Sequence, residues 1–364
     1  MKKIANFFIA LVGILLVLAP VSGAIANTLE VSAGTATVLG IGTIGVLSLL
    51  SAPSAIPGIH MNGVSVEIWV NYIIDRLWKD NSWLKKAFSD DDKVLAGKIV
   101  HIPQPGAKPS VVKNRNQYPA AAVRRTDTDV VYALDEYTTD PTHIVDADKV
   151  ELSYDKIDSE YGDHAGTIVE TAADDMINKW LKDIPEANII RTSGVAVPAT
   201  LDNATGNRKS FTEADLRRVK LAMNKQKVPK TERYVLLTED MEDQLQASLS
   251  VTQNRDYSKA LDPVNGVVGR LHGFDIYTRA SVAAATAAGV IKALGSANDA
   301  TDHEVSLAWQ KNSVARALGE VKFFENPDRA EYYGDVYSAL LRAGGRRRRE
   351  DNAGVIAIIQ EAAA

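Results

Sequence analysis

The sequence has 364 residues, 41 Lys+Arg against 46 Asp+Glu for a formal net charge of −5, and 46% hydrophobic residues with ordinary use of Gly (24) and Pro (13). Such a composition excludes collagen-like, low-complexity and wholly disordered chains, and the length suits two domains, each with a core of its own. Zero cysteines exclude a disulfide framework, a thiolate nucleophile and any Cys-based zinc site, and the mildly acidic balance argues against a dedicated nucleic-acid binder.

The front of the chain is greasy and nearly free of charge. Lys2 and Lys3, an apolar run over 7–18 and then Ala24-Ile25-Ala26 reproduce the zones of a secretory signal peptide. A second uncharged stretch, 31–66, is broken by Pro53 and Pro57 and by repeated glycines, which does not suit a membrane span of about 20 apolar residues. Within it Gly40-Ile41-Gly42-Thr43-Ile44-Gly45 matches the dinucleotide fingerprint. The prolines interrupt the helix that would hold a pyrophosphate, and no acid lies between the fingerprint and Glu67, so a flexible apolar leader is the reading. Normal charge density resumes after Met61. Residues 1–60 are therefore expected to be a mis-called start, a removed segment or an export signal.

Residues 66–88 follow as an amphipathic helix with Trp69, Ile73, Leu77 and Leu84 near helical spacing, ended by Asp90-Asp91-Asp92, which reads as a solvated turn. Strands at 98–102 and 129–134 flank a Pro-rich middle, the pattern of a long hairpin. Its cations, Lys98, Lys108, Lys113, Arg115, Arg124 and Arg125, have no acid among them, so the segment carries +6. The longest helical pattern, 155–181, steps through Ile157, Tyr161, Ala165, Ile168, Ala172, Met176 and Trp180 as one buried stripe and stops before Pro185. Asp155, Asp158, Glu160, Asp163, Glu170, Asp174 and Asp175 against Lys156 give its 155–175 portion −6. A two-stranded hairpin with little core of its own needs a receiver. Either its own acidic helix neutralises it, or the helix of another copy does, in which case charge sets register and speeds encounter.

The second half alternates elements. Ser210 with Glu213 reads as a capping box before a helix with Leu216, Val219 and Met223; a buried strand at 234–237 leads to Thr238 as N-cap of a helix with Met241, Leu245 and Leu249. Residues 250–265 read as a polar loop, 266–277 as strand and turn, and 304–310, 320–325, 332–341 and 354–359 as extended segments. The class is α+β.

Catalytic and cofactor constellations are missing: there is no G-x-S-x-G elbow, H-E-x-x-H, P-loop or EF-hand, and the six histidines are scattered. His164 reads as a helix-surface histidine. The block Arg346-Arg347-Arg348-Arg349 reads as a solvated turn or an ion-pair contact to a neighbour, with nucleic-acid phosphate as the other partner it could take. No catalytic, cofactor or metal site is expected.

The order of these elements, with three strings, resembles the major capsid proteins of tailed bacteriophages, the Hong Kong ninety-seven type fold. The strings are Gly97-Lys98-Ile99-Val100-His101-Ile102-Pro103-Gln104, Val267-Val268-Gly269-Arg270-Leu271-His272-Gly273-Phe274-Asp275-Ile276-Tyr277, and Tyr332-Tyr333-Gly334-Asp335 ahead of Asp351-Asn352-Ala353-Gly354-Val355-Ile356. The resemblance covers roughly 64–359. It implies an N-terminal arm (61–96), an extended hairpin loop (97–150), a peripheral domain with a long spine helix (151–186 and 321–364) and an axial domain (187–320). It also implies a non-enzymatic shell protein, many copies of which, as hexamers and pentamers, form an icosahedral head around double-stranded DNA in the host bacterial cytoplasm. Portal, scaffolding or protease proteins would be further partners, and no small molecule. The basic loop of one subunit is then expected on the acidic helix of the next. The alternatives are an exported or membrane-anchored bacterial structural protein, on the strength of residues 1–50, and an encapsulin-type compartment, which shares the fold.

Overall fold

Helix α1 (Asn62–Asp80) opens the described part of the chain and buries Ile73 and Leu77. In the computed structural model residues 62–95, 99–104, 106, 109–116, 118–119, 122, 124–145, 156–293 and 295–363 are described. The apolar leader, its glycine fingerprint and the start at Met61 lie outside them, as do Lys98, Lys108 and Asp155. The helix expected to run to 88 ends eight residues earlier. A 3-10 turn, Ser82–Lys86, follows, which buries Trp83 and Leu84 and leads into the short strand β1 (Phe88–Ser89).

The hairpin has the expected form. Strand β2 (Val94–Leu95) pairs with β3 (Ile99–Gln104), and β3 pairs antiparallel with β4 (Thr128–Ala133) in a register running from Ile99↔Ala133 to Gln104↔Thr128. Alternation decides its faces: Val100, Ile102, Val130 and Tyr132 are buried with Leu134, Ala315 and Ala317, whereas Ile99 and Val131 point away. The strands after it, β5 (Asp135–Thr138) and β6 (Thr142–Val145), leave the hairpin and join the sheet beneath α2 (Lys156–Leu181). The hairpin proper thus ends at Ala133, not near 150.

The rest of the chain begins with β7 (Ile189–Arg191), β8 (Ala196–Pro198), β9 (Asn207–Lys209), α3 (Glu213–Lys225), β10 (Arg233–Thr238), α4 (Glu239–Ser248) and α5 (Val251–Ser258). Strands β11 (Gly269–Leu271), β12 (Phe274–Arg279), β13 (Ala283–Ala285), β14 (His303–Gln310), β15 (Val314–Arg329), β16 (Gly334–Arg347) and β17 (Val355–Ile359) complete it. Two expectations change here. The capping box belongs to Thr212 and Asp215, one residue pair along from Ser210 and Glu213, because the Asp215 carboxylate accepts from the Thr212 amide at 3.0 Å. The segment read as a polar loop contains α5, started by a second capping box between Ser250 and Gln253. Only Tyr257 of α5 is buried, so no apolar stripe announced it.

Two larger sheets carry the architecture. One runs β1-β15-β16-β5 with β6 also on β16, built on the long β15–β16 hairpin. The other runs β11-β12-β10-β14-β17-β7 with β13 on β14. Sheet membership does not follow the expected division at 320/321. All of β15 belongs to the first sheet, and β17 lies in the second, between β14 and β7, because its Val-Ile-Ala-Ile-Ile run is buried on both faces. Helix α2 joins the two. Trp180 meets Trp83 at 5.7 Å and Trp309 at 5.9 Å between ring centroids, and its indole N–H donates to the Ala315 carbonyl at 3.1 Å. On its other face the second sheet carries a separate core of Phe211, Leu216, Val219, Met241 and Leu245 from the α3 and α4 side against Phe274, Ile356 and Ile358. Among the described residues no helix is long and apolar enough to cross a membrane.

Candidate assembly surfaces

Four of the six hairpin cations are described, and all four are exposed. Arg125 is committed within the hairpin: it bonds both oxygens of Asp127, at 2.5 and 3.0 Å, which raises the guanidinium and holds the carboxyl below its usual range. Lys113, Arg115 and Arg124 make no ion pair among the described residues. Beside them Val111 and Tyr118 are 94% and 77% exposed, so the distal hairpin offers both charge and apolar surface.

The acidic helix is less free than its sequence implies. Asp174 is paired with Arg279, although burial, the larger effect, moves its carboxyl above the usual range. Asp175 pairs with Lys179 at 2.7 Å and accepts from the Tyr137 hydroxyl. Asp158 and Glu160 lie in the first turns of α2. Asp163 and Glu170 are exposed and make no ion pair among the described residues. No hydrogen bond or ion pair joins the described hairpin cations to α2 of the same subunit.

Asp163 opens into a groove of about 600 Å³ between α2 and the β5–β6 turn, lined also by Glu136, Asp140, Thr139 and His164 and, among the described residues, by no Lys or Arg. His164 is not a surface residue. It is 6% exposed, because the β5–β6 turn lies over it and its two ring nitrogens meet the hydroxyls of Thr139 at 2.8 Å and Thr142 at 2.7 Å. Sequence reasoning had no signal for this, since both threonines come from a neighbouring strand pair.

The arginine block is not a solvated turn. Arg346 and Arg347 are the last residues of β16. Arg347 closes the C-terminal end of α2, donating to the carbonyls of Trp180 (2.9 Å), Lys182 (2.5 Å) and Asp183 (3.3 Å) and to Asn352 (2.7 Å). Arg348 lies 3.7 Å over the Phe88 ring and 4.0 Å from Asp90. Arg349 pairs with Asp351, and Arg346, exposed, donates to the Val131 carbonyl at 2.9 Å. The aspartate triplet changes meaning for the same reason: Asp90 is 1% exposed and bonded by Lys93 at 2.8 Å, and only Asp92 and part of Asp91 meet solvent. Among the described residues no group of His, Asp and Glu is placed to hold a metal ion.

The sequence matches the phage capsid protein family over residues 80–358. No curated protein matches it. Among solved structures it is similar to the capsid of Ralstonia phage GP4 (13% identity, TM-score 0.55, covering 77% of this chain and 88% of that one). It is also similar to the capsid of cyanophage Pam1 (11%, 0.53, 76% and 89%) and that of cyanophage P-SCSP1u (18%, 0.51, 76% and 86%). At these identities the likeness is one of fold.

Proposed function

Because this chain belongs to the phage capsid protein family, and is a major capsid protein that forms the phage head, we propose that it closes its shell by laying the basic hairpin of one copy into the acidic groove of the next. One observation carries this: Lys113, Arg115 and Arg124 are exposed on the hairpin and Asp163 and Glu170 on α2, none of them makes an ion pair among the described residues, and the two sets do not meet within a subunit. Complementary charge of this kind fixes register and accelerates encounter, and the apolar Val111 and Tyr118 supply burial once seated. Of the acids first assigned to the contact, Asp174 keeps an internal role with Arg279. Arg346 and Arg349, the exposed members of their block, are proposed contacts to a neighbour or to packaged DNA.

In this reading the chain has no catalytic role, assembles into hexamers and pentamers in the host bacterial cytoplasm, and encloses double-stranded DNA with portal, scaffolding or protease proteins as partners. The alternative of an exported or membrane-anchored protein rested on residues 1–50 and gains nothing from the family match. The test replaces Lys113, Arg115 and Arg124 together with Glu. Circular dichroism is expected to stay native while negative-stain fields lose closed shells; shells at the wild-type yield would end the pairing idea.

A further inference from the structure

Helix α3 and the residues after it carry a second concentration of positive charge, apart from that of the hairpin. From 214 to 230 there are six Lys or Arg and one acid, a net +5 in a protein of net −5. The acid, Asp215, is fully buried and holds Arg218. Arg217, Lys225, Lys227 and Lys230 are exposed, Lys220 is half-buried, and none of these five makes an ion pair among the described residues. A shallow groove of about 560 Å³ runs along Arg217, Lys220, Leu221 and Asn224 to His272.

The start of α4 has the opposite character. Residues 238–250 hold four acids and no base, a net −4. Glu242 is turned inward to the Tyr257 hydroxyl at 2.8 Å, and Glu239, Asp240 and Asp243 are exposed with no ion pair among the described residues.

Register places the C-terminal end of α3 and the start of α4 at opposite ends of one sheet, while the first turn of α3 meets the last turn of α4, where the Glu213 amide donates to Ser248 at 3.1 Å. At its N-terminal end α3 is tied to the Arg233 end of β10 by Glu213, which bonds His272 at 2.6 Å in the turn just before Phe274, the register partner of Arg233. Near its C-terminal end Asn224 accepts from Arg233 at 2.9 Å, and just beyond it Gln226 accepts from the Gly354 amide at 2.9 Å. Helix α4 begins at the other end of β10, after Thr238. Six strand residues separate the ends by about 20 Å.

We propose that this body binds a second copy of the chain head to tail, the basic face of α3 against the acidic start of α4. The inference rests on the shell-forming reading above and adds a contact separate from the hairpin. Complementary patches at opposite ends make a heterologous contact, which repeats from copy to copy and closes into a ring. Nucleic acid would account for the basic end alone and leave three exposed acids on α4 without a purpose. Leu221, 53% exposed amid the cations, also fits a protein surface better than a phosphate backbone.

The test uses full-length chains and scores capsomer rings by sedimentation and native mass spectrometry, with circular dichroism as the check on folding. Arg217→Glu with Lys220→Glu and Lys225→Glu is expected to lower ring yield about tenfold, and Glu239→Lys with Asp240→Lys and Asp243→Lys to do the same. A single chain carrying all six changes restores complementarity and is expected to recover rings. Should a reversed set perturb the fold, Gln at Arg217, Lys220 and Lys225 gives the same reading with a smaller loss. Rings at full yield from either reversed set, or no recovery in the folded six-fold variant, overturn the proposal. So does a basic-end variant that assembles fully but encloses less DNA, which would assign α3 to nucleic acid. The hairpin variant is expected to keep its rings and lose only shells, which separates the two contacts. A wild-type chain that forms neither overturns the shell reading and this inference together.

Discussion

The carboxylate of Asp91 accepts a hydrogen bond from the backbone amide of Leu318 at 2.7 Å, and its other oxygen is 3.2 Å from the Arg316 guanidinium. Asp91, in the arm, thus completes a strand more than two hundred positions later, where β15 shifts register between Leu318 and Val321 and the Leu318 amide would lack a partner. Arg316 is held from its other side by Trp78, 4.1 Å from the ring centroid. Replacing Asp91 with Ala is expected to cost about 1–3 kcal/mol, since it strands both a part-buried amide and a largely buried guanidinium. Urea unfolding measures the loss, and limited proteolysis is expected to cut first near residues 88–95. Unchanged stability would mean the arm is held by its apolar contacts alone.

Asp215 makes a stronger case. Its carboxylate is fully buried and accepts from the Ser193 amide (3.2 Å) and hydroxyl (2.6 Å), from the Thr212 amide (3.0 Å) and hydroxyl (3.0 Å), and from Arg218. It is both the N3 residue of the α3 capping box and the anchor of the loop after β7. Asp215→Ala is expected to lower stability by about 3–5 kcal/mol, because the donors around it stay buried without an acceptor. Asp215→Asn, which keeps one acceptor oxygen, is expected to lose less. Equal losses for the two variants in denaturant melts would show that the charge, not the acceptor count, matters.

These two aspartates mark what the sequence revealed and what it hid. Periodicity sufficed for the hairpin, whose Val100, Ile102, Val130 and Tyr132 alternate, and for α2, whose Tyr161, Ile168, Met176 and Trp180 make one stripe. Local charge misled where the partner was distant. Asp90 and Asp91 look like solvent residues until Arg316 and Arg348 arrive from β15 and the end of β16. Arg346–Arg349 look like a free cationic patch until the carbonyls at the end of α2 are counted. Helix α5 was hidden because it buries only Tyr257, and the sheet that β17 joins was hidden because a strand buried on both faces carries no sign of its neighbours. The basic run on α3 was legible in the letters alone. Its opposition to α4 was not, because that depends on the register of β10.

Screening offers a test of the hairpin contact without mutation. The attraction between Lys113, Arg115 or Arg124 and Asp163 or Glu170 is between exposed groups, so it weakens as the screening length falls from about 10 Å at 0.1 M salt to about 3 Å at 1 M. The initial rate of assembly, followed by light scattering, is expected to fall across that range. Final yield is expected to fall less, because apolar contacts such as those of Val111 and Tyr118 do not weaken with salt. A rate that is flat or rises with salt would locate the driving force in the apolar contacts.

Glu304, on β14, gives the pH dependence a definite sign. Burial moves its carboxyl above the ordinary 4.5, against the hydrogen bonds of Thr200 (2.8 Å) and Thr238, and the nearby Asp240 adds to the rise. A folded-state value above the unfolded one means the native chain binds the extra proton. The stabilisation is therefore complete below about pH 4.5 and is lost as pH climbs through the raised value, with a limiting slope of about 1.4 kcal/mol per pH unit. His303 beside it runs the other way: burial and Arg208 disfavour its cation, so its contribution is present above the ordinary 6.5 and lost as pH falls through the lowered value. The two windows extend toward each other, Glu304 upward and His303 downward, so the wild-type curve alone does not separate them. The difference between wild type and Glu304→Gln does, since the amide keeps an acceptor for Thr200 and cannot ionise. Urea unfolding from pH 4 to pH 8 is expected to show the variant gaining on the wild type as pH rises. A constant difference would mean that Glu304 titrates alike in the folded and unfolded chain, and that its burial is compensated in full by the two threonines.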